Sequence, residues 1–178
     1  MAPYVVRRGS VEDIDDLLRL ITALADYIKE SPLTITAEDL VRDAFTGEDA
    51  SLKFYVGEYL PLSATKEAGG HGSVVGFAAV HDFYDIVKGR VWFVCGIYVD
   101  EKHRGQNLGT LLMKAIAKDA VEAGCQALDG HVDGWNVGAK RFYSRIGVVN
   151  LTETEQWEAQ KFDRQAMEKF ITSNIMDD

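Results

Sequence analysis

The chain has 178 residues, of which 47% are hydrophobic and 26% charged; that balance fits one globular domain over 1–178 and excludes disorder over most of the length. A formal net charge of −9 and a pI near 4.9 repel phosphate backbones and attract cations, which weighs against nucleic acid and favours a cationic small molecule, although acidity for solubility alone would look the same. Met1-Ala-Pro-Tyr-Val-Val-Arg-Arg lacks the apolar segment of a secretory signal, no apolar run reaches spanning length, and Cys95 and Cys125 form neither a disulfide framework nor a zinc motif. The expectation is a cytoplasmic protein with no membrane partner and no metal.

In chain order, residues 4–8 are a short β-rich run, and Ser10 with Asp13 three positions on announces a helix start. Apolar residues at Ile14, Leu17, Leu18, Ile21, Leu24, Ala25 and Ile28 then follow the spacing of one buried helical face, ended by Ser31-Pro32. Thr36 with Asp39 repeats the cap signal, so 37–45 is predicted as a second, shorter helix. From Leu52 the pattern turns to β, with strands near 54–59 and 74–80 joined by a long glycine-bearing loop. Residues 90–99 are the most β-prone run and show little alternation, as in a central strand covered on both faces.

Helical spacing returns at Leu108, Leu112, Ile116 and Ala120, and Gly124 supplies a stop. A strand over 127–132, a helix over 137–145 closed by Gly147, a strand over 157–162 and a helix from Arg164 to Ile175 complete the pattern. This order predicts an α/β fold: a mixed central sheet of about six or seven strands with helices on both faces.

The chemistry concentrates in Asp100-Glu-Lys-His-Arg-Gly-Gln-Asn-Leu-Gly-Thr, between a buried strand and an amphipathic helix. Glycines there let backbone approach a ligand, and the N–H groups opening a helix favour an anion such as a diphosphate. The spacing is neither that of a P-loop nor Gly-x-Gly-x-x-Gly, and an ordinary glycine turn remains the alternative.

Arg104-Gly105-Gln106-Asn107-Leu108-Gly109 resembles the Arg/Gln-x-x-Gly-x-Gly/Ala signature of the GCN5-related N-acetyltransferases, with Asn107 at the middle glycine. Asparagine is the non-glycine residue that best tolerates positive φ. Downstream, Trp135-Asn136 and Phe142-Tyr143-Ser144-Arg145-Ile146-Gly147 resemble the family's segment in which an Asn is followed by Phe-Tyr-x-x-x-Gly. The resemblance runs along essentially the whole chain. It is nearest to the diamine, spermidine/spermine and thialysine acetyltransferases, through residues 18–27, Val75-Gly76-Phe77-Ala78 and Gln156-Trp157.

The resemblance implies acetyl-coenzyme A as cofactor and a small-molecule primary amine as substrate, which attacks the thioester directly, in a homodimer that pairs through late strands and the C-terminal region. It implies that Ile97, Tyr98 and Val99 meet the pantetheine arm, that residues Arg104, Gly105, Gln106, Asn107, Leu108, Gly109 and Thr110 clasp the pyrophosphate, and that Asn136, Ala139, Tyr143 and Arg145 also touch the coenzyme. Tyr143 becomes the general acid for the departing thiolate; as an isolated helical tyrosine it would be packing. Cys95 and Gly96 stand where the polyamine-specific relatives carry acids on the central strand. The amine side is therefore sought among Tyr27, Asp82, Asp85, Cys95, Asp129, His131 and Glu155, with His81 as a titratable neighbour. Acceptors on peptides or proteins, or a non-catalytic acyl-CoA sensor, are the alternatives.

Overall fold

A computed structural model describes residues 3–47, 50–61, 72–156 and 158–172. The chain divides into two compact units, Met1–Trp135 and Asn136–Asp178. The first holds a five-stranded sheet in the order β1-β2-β3-β4-β5: β1 is Tyr4–Arg8, β2 Leu52–Tyr59, β3 Ser73–Asp85, β4 Gly89–Val99 and β5 Ala127–Gly130. The first four strands pair antiparallel and β5 joins β4 in parallel, which makes the sheet mixed.

Among the described residues this unit has three α-helices: α1 (Ile14–Ile28), α2 (Ala37–Val41) and α3 (Leu108–Glu122). The Ser10 amide donates to the Asp13 carboxylate at 2.8 Å, and Thr36 and Asp39 repeat the arrangement before α2, so the cap signals hold. Lys29 in the left-handed region (φ 64°) ends α1 ahead of Ser31-Pro32. Ile14, Leu17, Leu20 and Leu40 bury against Phe54, Val56, Phe77 and Ala79 of the sheet, with Leu24 packed alongside. The opposite sheet face takes α3. A Cβ on Gly57 would stand 2.7 Å from a Leu108 methyl, so a residue without a side chain lets Leu108 seat on β2. Leu108, Leu112, Met113, Ile116 and Ala120 are buried, the stripe that the 3.6 period predicts.

Arg7 ties the sheet edge to the start of α1: its guanidinium donates twice to Asp13 at 2.7 Å and once to Glu58 at 2.7 Å. The hydrogen bonds from Arg7 hold the Asp13 carboxyl below the usual carboxylate range, against the opposing effect of desolvation.

The second unit contains α4 (Val137–Arg145), α5 (Leu151–Thr154) and α6 (Arg164–Thr172). Gly147, at φ 89°, follows α4 as expected. Residues 158–162 are exposed and form no strand, and Trp157 lies outside the described residues, as does the end of the helix predicted to reach Ile175. Aromatic content favours a strand only where a neighbouring edge accepts its ladder. The described sheet therefore has five strands rather than six or seven.

Two strands also differ from their patterns. β3 continues five residues past Val80 through His81-Asp-Phe-Tyr-Asp, paired to β4 as far as Asp85–Gly89. β4 is not covered throughout: Val91 and Trp92 are buried, but Cys95 is exposed and Ile97 to Val99 are half-buried, because β5 pairs only with Val91–Val94. The glycine-bearing loop between β2 and β3, residues 62–71, lies outside the described residues. Among the described residues no helix is long and apolar enough to cross a membrane.

Candidate active site

Two features of the first unit open the sheet at one place. The parallel pairing of β4 with β5 stops at Val94–Gly130, and Cys95 is inserted as an extra residue opposite β3, whose partners jump from Val80–Val94 to Ala79–Gly96. A bulge of this kind bends the strand and re-aims its side chains. From Gly96 to Val99, β4 pairs with β3 alone among the described residues.

The turn after β4 is built around left-handed residues. Gly105 has φ 74° and Asn107 φ 68°, so asparagine takes the conformation expected of it at the middle-glycine position. Among the described residues, the backbone N–H groups of residues 105–110 donate to no protein acceptor; the first intrahelical bond runs from the Leu111 amide to the Asn107 carbonyl at 3.0 Å. The first turn of α3 carries no acidic side chain, and a Cβ built on Gly105 meets nothing within 4 Å. Unspent donors, a helix dipole and open space in front of the backbone fit a diphosphate.

Side chains brace this turn from behind. The Tyr4 hydroxyl donates to Gln106 Oε1 at 2.9 Å, so the bond between the same oxygen and His103 Nδ1, at 3.0 Å, must be donated by the imidazole. The Gln106 amide nitrogen donates to the Lys102 carbonyl at 3.3 Å. Arg104 lies with its guanidinium 5.1 Å from the Tyr27 ring and 5.2 Å from the Tyr98 ring, and its Nε donates to the Val99 carbonyl at 2.9 Å. Tyr27 in turn meets Trp135, ring centroids 5.7 Å apart. The stack joins the C-terminal end of α1, the end of β4 and the turn.

The residues sought for the amine side fall into separate groups. Cys95, Asp129 and His131 gather around Phe93: Cys95 Sγ is 3.6 Å from its carbonyl oxygen, Asp129 is its register partner on β5, and the His131 ring meets its ring edge-on at 4.9 Å. His81, opposite Phe93 on β3, joins them with ring centroids 5.4 Å apart. Desolvation pushes the Cys95 thiol above its ordinary range, which disfavours the thiolate a nucleophile needs.

Asp82 forms an ion pair with Lys53. Desolvation works to raise its carboxyl, and the hydrogen bond and charge of Lys53 outweigh it to hold the group low. Asp85 is at the hairpin tip, where its carboxylate accepts the Val87 and Lys88 amides at 2.7 and 2.8 Å. Tyr27 belongs to the Arg104 stack. The bracing role of Tyr4 left no local signal in the sequence, since its partners lie about a hundred positions away.

In the second unit, Asn136 caps α4 by accepting the Ala139 amide at 3.0 Å. Tyr143 lies on the same helix with its ring 5.3 Å from Phe142, and the Arg145 guanidinium is 5.9 Å from the Phe142 ring. Burial pushes the Tyr143 phenol above its ordinary value, so it keeps its proton well past neutrality. Glu155 lies just beyond α5, its amide donating to the Leu151 carbonyl at 2.8 Å.

The chain is 35% identical over 167 residues to a thialysine N-ε-acetyltransferase of Bos taurus, covering 94% of this chain and 96% of that one. Its fold matches an integron cassette protein from the mobile metagenome of V. cholerae with a TM-score of 0.73 at 22% identity, over 96% and 99% of the two chains. It also matches AAC(6′)-Iy in complex with a bisubstrate analogue, CoA-S-monomethyl-acetylneamine, with a TM-score of 0.65 at 17% identity, over 90% and 97%. The family model described as the acetyltransferase (GNAT) family matches residues 19–148, from within α1 through the turn and α3 to the end of the Phe-Tyr-x-x-x-Gly segment. The chain belongs to the GNAT acetyltransferase family and is an acetyl-CoA-dependent N-acetyltransferase.

Proposed function

We propose that this enzyme acetylates a primary amine of a small molecule, in the class of diamines, polyamine-like compounds and lysine analogues such as thialysine, by direct attack within a single catalytic domain. The likeness to a thialysine N-ε-acetyltransferase over nearly the full length of both chains carries the substrate class. The negative net charge, which draws cations, agrees with it.

When bound, acetyl-CoA supplies an activated thioester. The six unspent amides of residues 105–110 hold its pyrophosphate, and Gly105 and Asn107 keep those amides turned outward. Asn136, Ala139 and Arg145, from the motif on α4, add further coenzyme contacts. The part of β4 that lacks a β5 partner, Ile97 to Val99, presents backbone groups to the pantetheine arm. On this reading Arg104 yields the Val99 carbonyl that it now occupies. Tyr143, protonated at physiological pH, gives its proton to the departing sulfur.

Thiol release with thialysine, lysine, ornithine, spermidine and 1,4-diaminobutane tests the substrate class. Turnover with at least one of these above that of an N-terminal peptide is expected. Turnover of the peptide alone would move the acceptor to protein amines, and tight acetyl-CoA binding with no amine-dependent release would make the domain a sensor. For the acid, Tyr143→Phe is expected to lower kcat roughly 100-fold with coenzyme affinity unchanged; equal turnover removes the role. Pairing of two copies through the C-terminal region is proposed alongside, and sedimentation measures it.

A further inference from the structure

The imidazole of His81 has its proton placed by its surroundings. Nδ1 lies 2.9 Å from the Asp82 carbonyl oxygen. A carbonyl oxygen only accepts, so Nδ1 carries the hydrogen and the neutral ring keeps its lone pair on Nε2. Among the described residues no hydrogen bond engages Nε2. The ring is further fixed by Phe93, 5.4 Å away and directly opposite in the β3–β4 register.

This imidazole stands beside the opening in the sheet. The His81 amide approaches the Cys95 thiol, and Cys95 is the bulged residue that follows the last β4–β5 pair, Val94–Gly130. A base held in one tautomer, half-buried against an aromatic ring and adjacent to the point where β4–β5 pairing ends, has its lone pair available for a proton from an amine there.

We infer that His81 Nε2 is the general base that removes a proton from the substrate ammonium before attack; the inference rests on the reading of the protein as a small-amine acetyltransferase. The ammonium gives one proton to Nε2. The freed lone pair forms the bond to the acetyl carbon as the carbon–sulfur bond breaks, and the electrons of that bond leave on sulfur. The second N–H proton lost as the amide forms balances the proton taken up by the thiol, and the first passes from His81 to water.

The other titratable groups around the ring are accounted for. Cys95 on β4 holds its proton because desolvation raises its thiol. Asp82, the next residue of β3, is paired with Lys53 of β2. Asp129 comes from β5 and His131 directly follows that strand, and His131 is exposed where His81 is half-buried, so the experiment must separate the two histidines.

For the amine that wild-type protein acetylates fastest, kcat/KM is measured between about pH 6 and 10, the range that spans imidazole titration, together with the KM for acetyl-CoA. Wild type should rise to a plateau as an imidazole loses its proton. His81→Ala and His81→Gln should both fall about 100-fold at neutral pH, lose the plateau so that the rate climbs with the free-amine fraction, and keep the acetyl-CoA KM. Because Gln preserves much of the size and polarity, a loss shared by both variants is not one of packing. His131→Ala should retain the plateau whatever its absolute rate.

A His81 variant with the wild-type profile overturns the inference, as does a loss equal at every pH, which is the mark of a structural role. So does a plateau that vanishes in His131→Ala instead. Wild-type protein that releases no thiol with any amine brings down the amine reading and this one together, whereas active wild type with unaffected His81 variants brings down this one alone.

Discussion

Two turns flank β4, and both use a left-handed residue to reverse the chain: Gly89 (φ 93°) at the β3–β4 hairpin, and Gly105 (φ 74°) with Asn107 (φ 68°) before α3. In the hairpin the amides are spent within the turn, since the Asp85 carboxylate takes those of Val87 and Lys88. Across the turn and the first three residues of α3, none of six consecutive amides is spent on a protein acceptor among the described residues. Unpaired backbone donors carry a free-energy penalty unless something satisfies them. The comparison teaches that the turn proposed to hold the coenzyme is set apart by what its own side chains leave undone, more than by its glycines.

The sharpest way to break this contrast is to place one side chain in both turns. A Cβ at Gly105 or at Gly89 meets nothing within 4 Å, so valine at either position should cost about 1–2 kcal/mol of left-handed strain. Gly105→Val should in addition weaken acetyl-CoA binding by roughly 100-fold or more, since two charge-assisted hydrogen bonds at about 1.5 kcal/mol each already amount to that. Gly89→Val should leave affinity unchanged while lowering the unfolding midpoint. Calorimetry that gave the two variants equal affinity would remove residues 105–110 from the coenzyme site.

A smaller effect is expected at Asn107. Asn107→Ala loses the asparagine tolerance for positive φ and should weaken coenzyme binding up to about 5-fold, equivalent to about 1 kcal/mol, whereas Asn107→Gly should bind at least as well as wild type. The smallest belongs to Asp85→Ala. The Lys88 and Val87 amides hold the Asp85 carboxyl below its ordinary value. A depressed folded value means that its stabilisation is present above the unfolded value, about 3.9, and disappears as pH falls through the folded one. The variant should therefore lose less of its thermal midpoint than wild type between neutral pH and pH of about 3, with acetyl-CoA affinity intact.

Local signals were readable where the structure they specify is local. The caps at Ser10 and Thr36, the buried stripe of α3 and the left-handed Asn107 all follow from neighbours within a few positions. Errors arose where distant pairing decides. Residues 157–162 have strand-like aromatics, but those described form no ladder; β3 runs on through the largely exposed residues 81–85 because β4 is there to pair with it. The apolar run of β4 predicted two covered faces, and the early end of β5 left its second half open. The turn over residues 105–110 was legible as a motif, whereas the tautomer of His81 and the Arg104 stack depend on side chains that only folding brings together.

The Tyr4 hydroxyl has a consequence for handling the protein. It reaches ninety-nine residues forward to His103 and one hundred and two to Gln106, and the carbonyl of neighbouring Pro3 accepts the Leu60 amide at 2.7 Å. A preparation clipped by protease at its first few positions, or carrying a bulky purification tag pressed against them, would retain every motif residue yet hold the turn around Gln106 slack. Terminal integrity, checked by intact mass, therefore belongs beside any comparison of activity between batches.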